Sequence, residues 1–339
     1  MAKILLILTG GTICCQKNDG VLSSCTQAAE LALVDGFRRS GSPWRGTEFC
    51  SRFPLDTLSE NMTVEKWQLI LDELRQTDFA AWDGIILAHG TDTLGFTAAL
   101  LDAALEGLGV PLVLVSSQYP LADGRANGPA NFRAAVELLC EGKLSGGVWA
   151  VYRNADGVTW LHRGRELRQC PVGSDDFQSE HMTDVARLTE RAERTAAAVG
   201  AIGGLPLYKA RPLTPCVLRI EPYVGLDYRR WELSGLRAVV HGVYHCGTAC
   251  TGRLGPQEAY GPDSLLYLQD RCRELDIPLF IGPVDFGPAH DPYATMADYG
   301  RAGVIPVPGV SPETVYARAV LGCALYEDRD SLIAYVTGR

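Results

Sequence analysis

The sequence predicts an α/β fold with two domains, a larger N-terminal one and a smaller C-terminal one, both built on mostly parallel sheets. The length of 339 residues corresponds to about two domains of roughly 150 residues each. Apolar residues make up 47% of the chain and charged residues 21%, as in a globular protein that buries a large core. Short apolar segments alternate with helical ones, which is the pattern of βαβ units.

The N-terminal domain begins with a buried strand in KILLILTGGTI, residues 3–13, which runs into a glycine turn. Residues 84–88 are predicted to form another strand, residues 89–93 a turn, and residues 93–105 an Ala- and Leu-rich helix. A third strand, a further helix and a fourth strand follow in VPLVLVSSQYP, ANGPANFRAAVELLCEGK and GGVWAVYR.

A change in composition marks the boundary between the domains. The segment 184–198 is charged and then Ala-rich, which predicts a helix, and the glycines and prolines that follow as far as Pro215 predict a linker. We therefore divide the chain into an N-terminal domain at 1–195, a linker at 196–215 and a C-terminal domain at 216–339. The alternation of strands and helices resumes in CVLRIEPYVG, LRAVVHGVYHCG, SLLYLQDRCREL, IPLFIGPV and VIPVPGVSPETVYARAVLGCALY.

Charge and hydropathy narrow the class of partner. Lys and Arg number 31 against 40 Asp and Glu, a net charge of −9, and phosphate recognition needs clustered cations. No apolar run reaches the roughly 18 residues of a membrane span, and the apolar run in MAKILLILTGG is too short for a signal-peptide core. We predict a cytoplasmic protein with no nucleic-acid or membrane partner.

The 11 cysteines are expected to be reduced in that compartment, and most of them to be small buried hydrophobic residues. The segment HGVYHCGTAC, residues 241–250, contains two histidines and two cysteines but lacks a zinc-finger spacing. We therefore predict no metal at this segment.

The first glycine turn, TGGT, follows the first strand and matches neither the dinucleotide fingerprint nor the P-loop. It places the hydroxyl of Thr12 after two glycines, which let a ligand approach the backbone closely. Ligands of open α/β sheets bind at the carboxyl ends of strands, where this turn lies. Taken alone, this motif favours the interpretation of Thr12 as an ordinary turn residue.

A second turn, HGTDT, places Thr91 and Asp92 at the corresponding end of another strand. Thr91 could serve as a helix N-cap and Asp92 could interact only with the helix dipole. Two hydroxyls and a carboxylate in equivalent crevice positions instead favour a catalytic constellation. His89 is expected to hold the turn by hydrogen bonds.

Four segments resemble the L-asparaginases, a family of threonine amidohydrolases, and most closely the intracellular bacterial type. They are TGGTI (9–13), LSENMTVEKW (58–67), ILAHGTDTLGFTAALL (86–101) and SSQYPLADGRANG (116–128). The resemblance covers most of residues 1–180 and continues more weakly in the C-terminal domain. It implies hydrolysis of the side-chain amide of L-asparagine to L-aspartate and ammonia. It also implies a homodimer or homotetramer, with an amino acid as the small-molecule substrate and with no cofactor or metal.

The resemblance further implies a role for each matching residue. Thr12 matches the nucleophile that forms an acyl-enzyme, and Thr91 and Asp92 match the second threonine and its aspartate. A threonine hydroxyl must lose its proton to a base, and each oxyanion donor typically contributes about 3 kcal/mol. The implied binding set for the substrate and its oxyanion is Ser59, Glu60, Thr91, Asp92, Gly11 and Gly90.

One departure concerns the lysine that completes the family's second triad. No lysine occurs between Lys143 and Lys209, and the matching position falls at Arg168 or Gln169. Arg168 is a doubtful replacement, because an arginine does not give up its proton and so cannot serve as a base. Loss of a general base typically costs about 10² to 10⁴ in rate.

Two further departures concern the lid and the C-terminal domain. The family places a tyrosine about ten residues after the first threonine motif, whereas the first tyrosine in this chain is Tyr119. Thr248 stands near a position where the family often carries asparagine. Three hypotheses therefore stay open: an asparaginase, a non-catalytic or weakly active homologue that binds an amino acid, and an amidohydrolase with another amide substrate.

Overall fold

The computed structural model describes residues 1–18, 21–188, 203–252, 259–284 and 293–338. The chain forms two compact units, Met1–Ala210 and Arg211–Arg339. The division lies within the predicted linker at 196–215, of which residues 196–202 lie outside the described residues. The domain boundaries therefore stay a prediction.

The first unit is built on one large sheet with helices packed against it. Its strands are β1 (Lys3–Leu8), β2 (Cys15–Asn18), β3 (Val21–Ser24), β4 (Glu48–Arg52), β5 (Gly84–Ala88), β6 (Pro111–Val115), β7 (Gly147–Arg153), β8 (Thr159–Arg163) and β9 (Thr183–Asp184). Its helices are α1 (Thr26–Arg39), α2 (Val64–Arg75), α3 (Leu94–Ala104), α4 (Gly128–Cys140) and α5 (Pro206–Lys209). The helix α3 is apolar nearly all round, and most of its residues are buried as a consequence.

The large sheet has the strand order β4-β1-β5-β6-β7-β8-β9, and its first five strands are parallel. The strands β8 and β9 add antiparallel pairs at one edge. All residues of β5 and β6 are buried, as expected for parallel strands with both faces covered. The predicted mostly parallel α/β fold is confirmed.

The path of the chain through this sheet defines a switch point. From β1 the chain passes to β4 on one side, and it then crosses to β5 on the other side of β1. Connections that leave two neighbouring strands in opposite directions open a crevice beyond their carboxyl ends. The two strands are β1 and β5, and the turns that follow them are TGGT and HGTDT.

The helix predicted at 184–198 is wrong for the residues that the structure describes. Thr183–Asp184 form β9, and Val185–Arg187 form a single 3-10 turn. The Asp184 carboxylate accepts a hydrogen bond from the Ala186 N–H over 2.9 Å. Asp184 also pairs with Trp160 of β8, so strand pairing overrides the local helix preference. Residues 189–198 lie outside the described residues.

The second unit contains a smaller, wholly parallel sheet with the order β10-β11-β12-β13. Its strands are β10 (Val217–Ile220), β11 (Ala238–His241), β12 (Leu279–Ile281) and β13 (Ile305–Pro306), and its helices are α6 (Leu265–Glu274), α7 (Ala294–Ala302), α8 (Pro312–Leu325) and α9 (Arg329–Thr337). Among the described residues, no helix has both the length and the apolar character needed to cross a bilayer. All 11 cysteines are free, and five of them are buried, fewer than expected from the sequence.

Candidate active site

The two glycine turns meet at their backbones. A Cβ atom placed on Gly11 would lie 2.1 Å from the Cα of Gly90, and one placed on Gly90 would lie 2.9 Å from the Cα of Gly11. Only two glycines allow so close an approach. Thr12 and Thr91, the residues that follow the touching glycines, are both half-buried. The switch point thus brings the two predicted threonines to one place in the fold.

Thr57 fixes the first turn from its other side. Gly10 forms a parallel bridge with Thr57, whose N–H donates to the Thr9 carbonyl over 3.1 Å. The Gly11 N–H donates to the Thr57 carbonyl over 2.8 Å. This N–H group therefore already has an acceptor within the protein. The sequence does not reveal Thr57, because its bonds to the first turn are made by its backbone and require no particular residue type.

Ser59 and Asp92, both predicted site residues, are joined directly. The buried Ser59 hydroxyl donates to the Asp92 carboxylate over 2.7 Å. The Asp92 N–H in turn donates to the Ser59 hydroxyl oxygen over 3.2 Å. Thr93 donates its hydroxyl to the Ser59 carbonyl over 3.0 Å. The second turn is therefore tied to the 3-10 turn Ser59–Asn61, and the Asp92 side chain is held at the exposed mouth of the site.

Carboxylates surround the first turn. Glu60 is exposed beside Ser59, and burial together with the charges of Glu60 and Asp56 raises the pKa of the Cys15 thiol. Burial raises the pKa of Cys14 to about 12, so this thiol is not a nucleophile at neutral pH. An acidic environment of this kind suits a cationic group such as the amino group of an amino acid.

Lys66 supplies a positive charge beside Thr57, the residue that holds the first turn. Its Nζ donates to the Thr57 hydroxyl over 2.8 Å and to the Asn61 carbonyl over 2.7 Å. The lysine thereby connects the start of α2 to the loop that carries Ser59.

His89 has the structural role that the sequence predicts. It is fully buried, and burial lowers its pKa to about 4. Its Nδ1 lies 2.8 Å from the Gly90 carbonyl, which can only accept, so Nδ1 carries the proton. Its Nε2 then accepts from the Thr97 hydroxyl at 3.0 Å, and Trp67 donates its Nε1–H to the same hydroxyl. A neutral imidazole thus links the second turn to α3 and α2.

Arg168 and Gln169, the two positions that the resemblance matches to the family lysine, make different contacts. Arg168 is exposed, and its N–H donates to the Gln178 carbonyl over 2.9 Å. Gln169 is half-buried, donates from Nε2 to the Thr91 carbonyl over 2.7 Å and accepts at Oε1 from the Gly95 N–H over 3.1 Å. Of these two neighbours, it is Gln169 that contacts the Thr91 turn. The sequence left both positions open because an alignment uncertain by one residue cannot separate them.

The segment after the first turn forms the antiparallel hairpin of β2 and β3. Ser24 donates its hydroxyl to the Asp56 carboxylate, which also accepts the Thr26 N–H over 3.3 Å. The hairpin is therefore tied to the residue that precedes Thr57. In the second unit, Thr248 lies 3.0 Å from the Cys246 sulfur. Within the described part of the chain, no three His, Cys, Asp or Glu side chains are grouped so as to hold a metal ion.

The fold and these contacts define an α/β protein with two threonine-bearing glycine turns at a sheet switch point, the place where open α/β sheets bind their ligands. A family model described as asparaginase, N-terminal, matches residues 3–198, more than half of the chain. The chain therefore belongs to the asparaginase family.

Individual relatives agree with this assignment. L-asparaginase 1 of Escherichia coli is 28% identical over 262 residues, which cover 76% of this chain and 75% of the relative. A glutamyl-tRNA(Gln) amidotransferase component of Methanopyrus kandleri is 29% identical over 201 residues, 56% of this chain and 41% of that protein. L-asparaginase I of Vibrio cholerae shares the fold with a TM-score of 0.71 at 24% identity, covering 100% of this chain and 97% of its own.

Proposed function

We propose that this protein hydrolyses the side-chain amide of L-asparagine to L-aspartate and ammonia through an acyl-enzyme on Thr12. The observation that supports the proposal is the backbone contact between Gly11 and Gly90, the residues that directly precede Thr12 and Thr91 in the two turns at the switch point. The relatives named as L-asparaginases support the choice of substrate.

The chemistry follows from the groups at this point of the fold. The Thr12 oxygen attacks the amide carbon as its hydroxyl gives up a proton, the C–N bond breaks, and the nitrogen takes that proton and leaves as ammonia. Water then hydrolyses the ester, which releases aspartate and restores the Thr12 hydroxyl. Backbone N–H groups of the glycine turns stabilise the oxyanion. Because the Gly11 N–H donates to Thr57, that stabilisation must come from other amides of the two turns. The carboxylates of Asp92 and Glu60 attract the substrate's amino group, and Ser59 orients Asp92.

One observation favours a binding protein instead. The side chain in contact with the Thr91 carbonyl is the carboxamide of Gln169, which cannot accept a proton at neutral pH as a free amine can. The protein would then keep an amino-acid pocket without turnover. The relatives named as amidotransferase components favour a third candidate, hydrolysis of another amide.

Ammonia release from asparagine, glutamine and a small panel of other amides separates these candidates. We expect asparagine to give the highest kcat/KM and Thr12→Ala to abolish its turnover while leaving the folded state intact. Thr77→Ala is a matched control, since the Thr77 hydroxyl donates to the Glu73 carbonyl at the end of α2. Tight aspartate binding without turnover would establish the binding protein. Turnover that survives Thr12→Ala would refute the acyl-enzyme. We also propose a homodimer or homotetramer, which sedimentation analysis would test.

A further inference from the structure

We propose that Gln169 is a positioning residue of the amidase site, and this inference rests on the function proposed above. Its carboxamide bridges the Thr91 carbonyl and the Gly95 N–H, with distances of 2.7 Å and 3.1 Å. The bridge fixes the HGTDT turn to the first turn of α3. It thereby sets where the Thr91 hydroxyl and the Asp92 carboxylate stand relative to Thr12.

The first turn of α3 needs such a partner. The first N–H groups of a helix have no acceptor within the helix, and an N-cap side chain usually accepts from one of them. Thr93, the N-cap residue of α3, does not cap it and donates its hydroxyl to the Ser59 carbonyl. Gln169, 74 positions after Gly95, accepts the Gly95 N–H instead. The cap of this helix therefore comes from the segment that follows β8.

The backbone around Gln169 is itself held in place. The Arg168 N–H donates to the Gln178 carbonyl over 2.9 Å, and Leu167 is fully buried. A Cβ atom placed on Gly95 would lie 3.0 Å from the backbone nitrogen of Gln169, so the backbone at Gln169 packs directly against α3. A side chain that extends from a fixed backbone can hold a turn more accurately than one on a loose loop.

Only some side chains can make both contacts at once. The carboxamide donates through its nitrogen and accepts through its oxygen. An ionised carboxylate has only acceptors, so it would repel the Thr91 carbonyl oxygen. An ammonium has only donors, so it could not accept from the Gly95 N–H. A protonated carboxylic acid again has one donor and one acceptor. A glutamate at this position would therefore restore the bridge only in its protonated form.

The test compares wild type, Gln169→Leu and Gln169→Glu, with Gln178→Leu as the matched control because the Gln178 side chain is exposed on the same segment. We expect Gln169→Leu to lower kcat/KM for asparagine by roughly 10- to 100-fold, mainly through kcat, since small misplacements of catalytic groups have effects of this size. We expect the activity of Gln169→Glu, relative to wild type at each pH, to fall as the pH rises from about 4.5 to 7.5. The carboxyl group of a glutamate ordinarily has a pKa of about 4.3, and burial raises that pKa.

The proposal is overturned if Gln169→Leu stays within twofold of wild type and Gln169→Glu follows the wild-type pH profile. If Gln169→Leu does not fold, the pH profile of Gln169→Glu decides. If the wild type binds aspartate but releases no ammonia, the proposed function fails, while the bridge is judged by aspartate affinity and hydrogen exchange at the Gly95 amide. Weaker binding and faster exchange in Gln169→Leu then support it, and unchanged values overturn it.

Discussion

The contact between the glycine turns makes a quantitative prediction for Gly11→Ala. Gly11 has a φ of 76° and a ψ of −179°, a backbone conformation almost confined to glycine that costs another residue about 1–3 kcal/mol. The added Cβ would also lie 2.1 Å from the Cα of Gly90, and overpacking of this kind typically costs about 1–3 kcal/mol. We expect the substitution to lower the free energy of unfolding by about 2–6 kcal/mol in total.

Urea denaturation followed by tryptophan fluorescence measures this loss in the first unit, which contains five of the six tryptophans. With a slope of about 2 kcal/mol per molar urea, the midpoint should fall by about 1–3 M. Gly41→Ala is the control for a positive φ without a close neighbour, since Gly41 has a φ of 75° and open space around it. Gly36→Ala, inside α1 and also in open space, should raise the stability by about 0.5–1 kcal/mol. If Gly11→Ala costs no more than Gly41→Ala, the turns are not in contact and the proposed site loses its basis.

Two other predictions concern the groups that hold the second turn. Burial lowers the pKa of His89 to about 4, below the ordinary 6.5, so the unfolded chain binds more protons between these values. The neutral His89 contributes at most about 3 kcal/mol to the free energy of unfolding. This contribution should be complete above pH 6.5 and lost as the pH falls towards 4. In pH-dependent urea melts, His89→Gln should flatten this slope relative to the exposed-site control His181→Gln; an unchanged slope would contradict the buried neutral imidazole. Ser59→Ala removes the 2.7 Å hydrogen bond to Asp92 and should lower the free energy of unfolding by about 1–3 kcal/mol. It should also weaken the binding of aspartate measured by calorimetry. If neither the stability nor the affinity changes, the Ser59–Asp92 pair does not order the site.

Thr12→Ala and Gln169→Leu address different parts of the site. The first removes the proposed nucleophile, so it should abolish turnover but leave the hydrogen bonds of Gln169 unchanged. The second leaves the nucleophile in place and loosens the turn that carries Thr91. A full loss in the first variant together with a partial loss in the second is the pattern that the geometry supports.

The sequence by itself determined the parts of the molecule that depend on neighbouring residues. The apolar runs of β1, β5 and β6 and the glycine turn after β1 were predicted, because strand burial and positive φ are local requirements. The proximity of Thr12 to Thr91 was expected from their equivalent positions after two strands and from the family resemblance. The Ala-rich segment at 184–198 shows the limit of local reasoning, since pairing with β8 decided the structure of Asp184.

Only the tertiary structure decided how the turns are held. The Gly11–Gly90 contact joins residues 79 positions apart, and the bridge of Gln169 to Thr91 spans 78. The role of Thr57 rests on its backbone, which no residue type encodes. Contacts of this kind form when segments that are distant in the sequence pack against one another. The local sequence of one segment does not identify the segment that it will contact.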